Sequence, residues 1–250
     1  MRAPIRLERC RDRADPPAAP RLSIIMPVRN EERALAIQET ALAPLCHLGH
    51  EVIVVDGGSR DESIQVASRF ATRVVMSRPG RAWQMNAGAR AASGAILIFL
   101  HADTLLPPGD FPLWLPSMDR DPSPVWGFFP VRLDSTDPIY RLIETGINLR
   151  ARLTRIATGD QALWVRRECF ERLGGFAEIP LMEDIEFSRR LRKEAAPTIL
   201  GARVSVSVRR WILEHPIRLI LRMWLLRMAY ACGIPPRRLT AFYDRTYPVE

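Results

Sequence analysis

Five short clusters carry residues whose types and spacing suit chemistry better than packing. His101-Ala102-Asp103 ends an apolar run, and Thr104 and Pro107 follow. A carboxylate such as Asp103 suits a hard cation, Mg2+ or Mn2+, which takes one or two protein carboxylates and completes its shell with phosphate and water. Capping of the next helix is the other use of such an aspartate. Asp56-Gly57-Gly58-Ser59 ends a second apolar run. Its glycines let the chain turn sharply and bring backbone N–H groups near a ligand, and Asp56 could accept hydrogen bonds from a base or ribose. Gly80 to Gly88 opens a helical pattern with Arg81 and puts Gln84 and Asn86 in its first turns. Helix N-termini and arginine both favour anions, so this segment fits a diphosphate as well as it fits an ordinary amphipathic helix. Glu183, Asp184 and Glu186 crowd the start of another helix. Dipole complementation accounts for one or two of them; a general base beside an acceptor hydroxyl accounts for the rest. Gly159-Asp160-Gln161 could hold a polyol by hydrogen bonds.

The elements that must position these clusters are legible from periodicity. Leu22–Val28, Glu51–Val55, Arg73–Ser77 and Ala95–Leu100 read as strands. Between them lie helices: one capped by Asn30 and running to about Leu48, one from Asp61 to Phe70, and one from Arg81 to Ala92 closed by Gly94. Strands that are apolar throughout and alternate with helices predict an α/β fold with a mostly parallel sheet covered on both faces. Ligands bind such sheets at the carboxyl ends of the strands. Arg29-Asn30-Glu31, Asp56-Gly57-Gly58 and His101-Ala102-Asp103 all lie there and are expected to converge. Beyond Asp103 the pattern predicts a short helix within Pro107–Pro124, a strand over Val125–Leu133 and a helix over Tyr140–Leu153. It continues with a strand over Ala162–Val165, a turn at Gly174-Gly175-Phe176, a helix over Glu183–Arg192 and an alternating strand over 198–208. One long apolar helix is expected over 211–232. In that helix Glu214, Arg218 and Arg222 share a face, whereas Arg227 falls about 180° from Arg218 at about 100° per residue.

Composition bounds the class of protein. The chain has 250 residues, 47% hydrophobic and 26% charged, as a globular chain does. Its net charge of +8 is concentrated at the ends: residues 1–21 carry six Arg against Glu8, Asp12 and Asp15, and residues 209–250 carry eight Arg against Glu214, Asp244 and Glu250. The centre, 22–208, is neutral. Nucleic-acid enzymes spread basic charge over a working face, so no nucleic-acid partner is expected and an anionic membrane surface is the better match. Cysteines at 10, 46, 169 and 232 are too scattered for a disulfide scaffold or a metal cluster. The first twenty residues lack the apolar run of a signal peptide, and no stretch of 18 apolar residues occurs. The expected organisation is a disordered basic, proline-rich leader over 1–21, a catalytic domain over 22–208, and a helical basic segment over 209–250. The expected location is cytoplasmic, with peripheral contact at the inner membrane face.

Taken in order, the clusters resemble a family 2 glycosyltransferase of the GT-A fold, over about Leu22 to Arg192. Ile24 to Glu32 looks like the opening strand and nucleotide contact, which implies Pro27, Arg29 and Glu31 as donor-binding residues. Val54 to Asp61 is similar to the base-binding turn, with Asp56. Gly80 to Gly88 resembles the segment lining the diphosphate, with Arg81 and Asn86. His101-Ala102-Asp103 stands where an Asp-x-Asp metal motif is expected, which implies Ala102 and Asp103 at the donor and Asp103 as metal ligand. His101 departs from the family there. Glu183-Asp184 matches the motif whose Asp is the inverting catalytic base, with Asp160, Gln161 and Glu183 expected at the acceptor. The spellings GRAWQMNAGA, FLHADT and PLMEDIEF look closest to a bacterial subgroup labelled transferase 2 of the radical-SAM/selenodomain-associated set. Arg209-Arg210-Trp211 is only a fragment of the Gln-x-x-Arg-Trp motif of processive synthases.

The resemblance implies an inverting, Mg2+- or Mn2+-dependent transfer of one sugar from a nucleotide-sugar, UDP-linked by preference, to a small-molecule or lipid acceptor. Two other readings stand beside it. A nucleotidyltransferase would want a glycine-rich basic loop after the first strand, and Arg29-Asn30-Glu31-Glu32 has no glycine. A noncatalytic nucleotide-sugar sensor would have no need of Asp103 and Asp184.

Overall fold

Side chains alternate between the two faces of a strand, so a strand covered on both sides must be apolar at nearly every position. The computed structural model describes residues 22–107 and 123–244, and its central strands show this directly. They are β1 (Leu22–Val28), β2 (Glu51–Asp56), β3 (Arg73–Met76) and β4 (Ile96–Phe99). Ile24, Met26, Val52, Val54, Ile96 and Ile98 point into one core, beneath α1 (Glu32–His47) and α2 (Ser63–Phe70). Ile25, Ile53, Val55, Leu97 and Phe99 point into a second core, beneath α3 (Arg81–Ala91).

After Asp103 come β5 (Thr104–Leu105), β6 (Trp126–Phe128), β7 (Val131–Leu133), α4 (Pro138–Thr154), a 3-10 turn (Gly159–Gln161), β8 (Trp164–Arg166) and α5 (Arg167–Arg172). The chain continues with α6 (Glu183–Glu194), β9 (Thr198–Ile199), β10 (Val204–Val206), α7 (Arg209–Glu214), α8 (Pro216–Ala231) and α9 (Pro236–Asp244). The large sheet runs β3-β2-β1-β4-β8-β6-β9, and a small one runs β5-β10-β7. β1 pairs in parallel with both β2 and β4, while β8 is antiparallel to its two neighbours. The chain winds outward from β1 to β3 and then returns to the other side of β1 with β4. The carboxyl ends of β1 and β4 therefore flank the switch point where an α/β sheet opens a crevice.

Three expected elements divide. The strand over Val125–Leu133 is broken at Pro130, which has no N–H for a ladder, and its halves lie in different sheets. The strand over 198–208 breaks in concert: β9 pairs with β6 and β10 with β7, both in parallel. The two segments thus cross between sheets side by side. The helix over 211–232 is broken at His215, whose φ is 64°, before Pro216. It is not one continuous apolar rod, because proline cannot donate to the preceding turn.

Two capping expectations also change. Asn30 sits in the left-handed region at φ 54°, and α1 begins two residues later without a side-chain cap. Gly94 lies beyond the end of α3; its N–H goes to Ser23 Oγ (2.8 Å) and Glu51 Oε2 (3.2 Å). The helix expected within 107–124 and the leader over 1–21 lie outside the described residues.

Candidate active site

The expected convergence at the strand ends is built by backbone and amide hydrogen bonds. Val28 O, at the end of β1, accepts Gly57 N–H (2.9 Å) and Gln84 Nε2–H (2.8 Å), and Gln84 also donates to Val55 O (2.8 Å). A Cβ on Gly57 would lie 2.9 Å from Gln84 Nε2, so the turn must carry glycine there. Asn30 joins the first two clusters: its N–H donates to Ser59 Oγ (2.9 Å) and its Oδ1 accepts Arg60 N–H (2.8 Å).

Two of the expected donor contacts are engaged in structural hydrogen bonds. Asp56 is fully buried, and its carboxylate accepts Gly58 N–H (2.8 Å) and Ser59 N–H (3.0 Å). These bonds hold the turn. Asn86 is buried and exchanges two 2.9 Å hydrogen bonds with the backbone of Phe176, so its amide is not turned toward a diphosphate. Ala102 is buried, with its carbonyl taken by Gln38 (3.0 Å). Pro27 is half-buried and Arg29 exposed.

Glu31 and Asp103 face each other across the switch point. Burial pushes the Glu31 carboxyl upward, Arg209 opposes the rise, and the charges of Asp103 and Asp61 add to it. Arg209 Nη2 lies 3.6 Å from Glu31 Oε2. Asp103 is exposed; its carboxylate has Thr104 Oγ1 at 3.4 Å, and its carbonyl accepts Ser207 N–H (3.1 Å). Among the described residues no group of three or more His, Cys, Asp or Glu forms a ready-made metal cage. One open carboxylate at a strand-end crevice still fits Mg2+ or Mn2+, which bind through few protein ligands plus phosphate oxygens.

His101 is acted on by Arg81, Asp103, Asp160 and Asp184. Burial and Arg81 push it below its ordinary range, against Asp103, Asp160 and Asp184. The neutral imidazole is therefore favoured. A Cβ on Gly159 would fall 2.1 Å from its ring, so the 159–161 turn lies directly on it.

That turn meets the helix start at Asp184. Asp184 Oδ2 accepts Gly159 N–H (3.0 Å) and Oδ1 accepts Ile185 N–H (2.7 Å), which orients the carboxylate. Glu183, 3% exposed, is pushed up to about 7 by burial and by Asp184, with Arg81 opposing. Glu186 is committed to Arg190 at 2.6 Å. Three carboxylates at one helix start thus have three fates: one buried, one aimed at the 159–161 turn, and one ion-paired. Asp160 is half-exposed and accepts from Thr158 Oγ1 (2.6 Å). Gln161 is fully buried and closes a capping box with Thr158, so it shapes the turn and is withdrawn from any acceptor. Glu183 is likewise turned inward.

The C-terminal helices wall this site. Leu226 of α8 and Leu239 of α9 pack with Leu181, Met182 and Ile185 beside the 183–184 pair. Tyr243 of α9 hydrogen-bonds Arg81 and Arg210, and both arginines push its hydroxyl down against burial. The guanidinium carbons of Arg210 and Arg222 lie 5.3 Å and 5.8 Å from its ring centroid. Arg81 is solvent-accessible in the cleft yet walled by protein; Tyr243, Glu183 and Asp184 hold it firmly charged against the cost of burial. Arg150, Arg209, Arg210, Arg227 and Tyr243 were not among the expected site residues. Their only local signals are the Arg209-Arg210-Trp211 fragment and the off-stripe position of Arg227.

Comparison with known proteins gives this arrangement a family. The family model described as Glycosyl transferase family 2 matches residues 23–177. Among curated proteins, an uncharacterised glycosyltransferase of Mycobacterium bovis is 31% identical over 107 residues, covering 42% of this chain and 47% of that protein. The chain thus spans about half the length of that relative. A mannosyltransferase of Pyrobaculum calidifontis, solved with GDP-Man and Mn2+, superposes with a TM-score of 0.58 at 22% identity, over 86% of this chain and 62% of that one. Glucosyl-3-phosphoglycerate synthase of Mycobacterium tuberculosis, solved with Mn2+, UDP and glucosyl-3-phosphoglycerate, superposes with a TM-score of 0.56 at 22% identity, over 87% of this chain and 82% of that one. With its family model matched through most of the sheet that carries the site, the chain belongs to glycosyl transferase family 2.

Proposed function

We propose that the protein transfers a single sugar, with inversion, from a nucleotide-sugar donor, UDP-linked by preference, to an acceptor nucleophile. The observation that carries this reading is the gathering of charged groups around His101: Arg81, Asp103, Asp160 and the oriented Asp184 all act on it. Glu31 adjoins Asp103, and Arg81 adjoins the 183–184 pair. Nucleotide-sugars in the solved structures of similar fold support the same donor class.

In the reaction the acceptor oxygen forms a bond to the anomeric carbon. The bond from that carbon to the diphosphate oxygen breaks, and its electron pair leaves with the diphosphate. Asp184 Oδ takes the acceptor proton, helped by its fixed orientation toward the 159–161 turn. Attack opposite the leaving group inverts the anomeric centre. Arg81, with Arg210 beside it, sets positive charge where the diphosphate would gain negative charge. A divalent cation on Asp103, Mg2+ or Mn2+, would supply Lewis-acid stabilisation of the leaving diphosphate. A proton held by Glu183 keeps the 183–184 pair at one negative charge, which suits a single base.

Three motif spellings, within Gly80–Ala89, Phe99–Thr104 and Pro180–Phe187, support placement in the radical-SAM/selenodomain-associated transferase 2 subgroup. Contact with an anionic membrane surface is part of the same reading. Ile217, Leu221, Trp224, Leu225 and Met228 form one exposed face of α8, with exposed Arg218, Arg237 and Arg238 nearby. An apolar face flanked by arginines suits an interfacial helix. Among the described residues no helix is long and apolar enough to cross a membrane.

The test is incubation with UDP-, GDP- and dTDP-sugars in Mn2+ or Mg2+, read as released nucleoside diphosphate. Metal-dependent release from one donor class is expected. Nucleotide binding with no release from any sugar, with or without candidate acceptors, would favour the sensor reading instead.

A further inference from the structure

α4 buries one face and leaves another bare. Tyr140, Ile143, Glu144 and Ala151 are buried against the rest of the chain. On the outward side Ile139, Leu142, Leu149 and Leu153 are all exposed, by between 44% and 75%. With Gly146 they stand at 139, 142, 146, 149 and 153, alternating steps of three and four residues. That spacing keeps all of them on one seam, the pattern by which one helix packs along another. Single exposed leucines need no explanation; a continuous row of them does.

Gly146 lies at the middle of the seam and inside the helix. A Cβ there would meet nothing in the chain, so the fold itself does not ask for glycine. Glycine inside a helix is destabilising relative to alanine. Its use here is explained by a body outside the chain that comes close at that point, because small residues let two helix backbones approach.

The seam is symmetric about that glycine. Ile139 and Leu153 lie seven residues to either side, and Leu142 and Leu149 four and three. A two-fold axis at Gly146 sets Leu142 opposite Leu149 of a second copy, and Ile139 opposite its Leu153. The ends of α4 are of opposite charge. Asp134 and Asp137 are exposed just before its first turn, and Arg152 and Arg155 are exposed at its last. Antiparallel pairing brings each acidic end beside a basic one and opposes the helix dipoles, whereas parallel pairing stacks like on like. An anionic membrane would meet the two aspartates at one end of the seam, so charge favours a second copy over a lipid surface.

We propose that α4 is a self-association surface whose partner is α4 of a second copy of this chain, antiparallel and closest at Gly146. This goes beyond the transferase reading and does not depend on it. The two meet in one helix, since Arg150 of α4 donates Nη2 to Thr158 Oγ1 (3.1 Å) and Gln161 Oε1 (3.3 Å) of the turn that orients Asp184.

The test is sedimentation equilibrium of the full chain over a concentration series around the micromolar range, because so short a seam lies at the small end of specific interfaces, below about 1,200 Å2 in total. A monomer–dimer equilibrium is expected. Leu149→Glu and, separately, Leu142→Glu should weaken it at least tenfold without lowering the unfolding midpoint, since both side chains are exposed. Ile37→Glu, at an exposed position of α1, should leave it unchanged. Direction is read by cysteine cross-linking in a chain carrying Cys10→Ser and Cys232→Ser. Gly146→Cys should form a disulfide with its own copy under mild oxidation. Leu149→Cys should cross-link only when mixed with Leu142→Cys, because a disulfide needs close Cα atoms. Self-linking of Leu149→Cys, or no link in Gly146→Cys, overturns the antiparallel pairing. A dimer untouched by both glutamates overturns the proposal, and so does a chain that stays monomeric throughout the series. In the monomeric case, sedimentation with anionic vesicles that is lost in Leu149→Glu would give the seam to a membrane instead.

Discussion

Glu183 offers the sharpest quantitative test, because burial has moved a carboxyl from an ordinary value of 4.5 to about 7. The side chain is 3% exposed, so solvent screens the shift little. In the unfolded chain the carboxyl ionises near its ordinary value; in the folded chain it keeps its proton until near neutrality. Stability linked to this group is therefore fully present below about pH 4.5 and is lost as pH rises through about 7. At 1.36 kcal/mol per pKa unit, the loss amounts to about 3 kcal/mol. Glu183→Gln keeps the shape and removes the titration. Urea unfolding of both proteins at about pH 5, 6.5 and 8.5 isolates the contribution of the residue, since other titrating groups are common to both. The variant should gain on the wild type by about 2.5 kcal/mol between about pH 5 and about pH 8.5. A difference between the two that stays flat within about 0.5 kcal/mol would show that Glu183 is ionised throughout and would refute the reasoning.

Asp184→Asn should keep UDP affinity by calorimetry and lose turnover by about a hundredfold or more, as expected for a general base; near-normal transfer would remove Asp184 from that role. Asp103→Ala should abolish the Mn2+ dependence of UDP binding while leaving the unfolding midpoint unchanged, because the side chain is exposed; an unaltered metal dependence would take Asp103 out of the site. Glu51, at the opposite end of the strands, is 1% exposed and accepts from Ser23 Oγ (2.6 Å), Ser93 N–H (2.6 Å) and Gly94 N–H (3.2 Å). Glu51→Ala should cost roughly 3 kcal/mol or more by stranding those donors, with UDP affinity intact at low temperature; a cost below about 1 kcal/mol would contradict the network. The pair Leu221→Glu and Trp224→Glu should end sedimentation with anionic liposomes without lowering the unfolding midpoint. Sedimentation that persists at low salt would mean that α8 is not the membrane-facing element.

The placement of the strand-end clusters was legible because its parts are local. A strand, a glycine turn and a helix start each leave a mark over fewer than ten residues. The position of Arg29-Asn30-Glu31 beside Asp56-Gly57-Gly58 follows from parallel pairing of two apolar runs. The direction of a side chain within such a turn is not local. Asp56 and Asn86 look like ligand contacts by type, yet Gly58 and Ser59 consume the first and Phe176, ninety residues away, consumes the second. Gln161 shows the same limit: a polar residue beside a site was folded inward to cap its own turn.

The sequence alone determined the α/β class and the strand ends where the polar clusters gather, and it singled out Asp103, Arg81 and Asp184 as candidates. Those conclusions rest on short continuous apolar runs alternating with helical patterns and on short-range turn chemistry, which a chain displays without regard to distant partners. The tertiary structure decided how the chain crosses between two sheets at Pro130, and that the C-terminal segment breaks at Pro216 and returns to the site. It also decided which of three adjacent carboxylates is buried, oriented or paired. It alone brings Tyr243 to Arg81, a contact that spans far more sequence than any periodicity reaches. Long-range contacts of this kind depend on the relative placement of whole elements, and that placement is set by the packing of Leu226 and Leu239 against Leu181 and Ile185 rather than by the residues that meet.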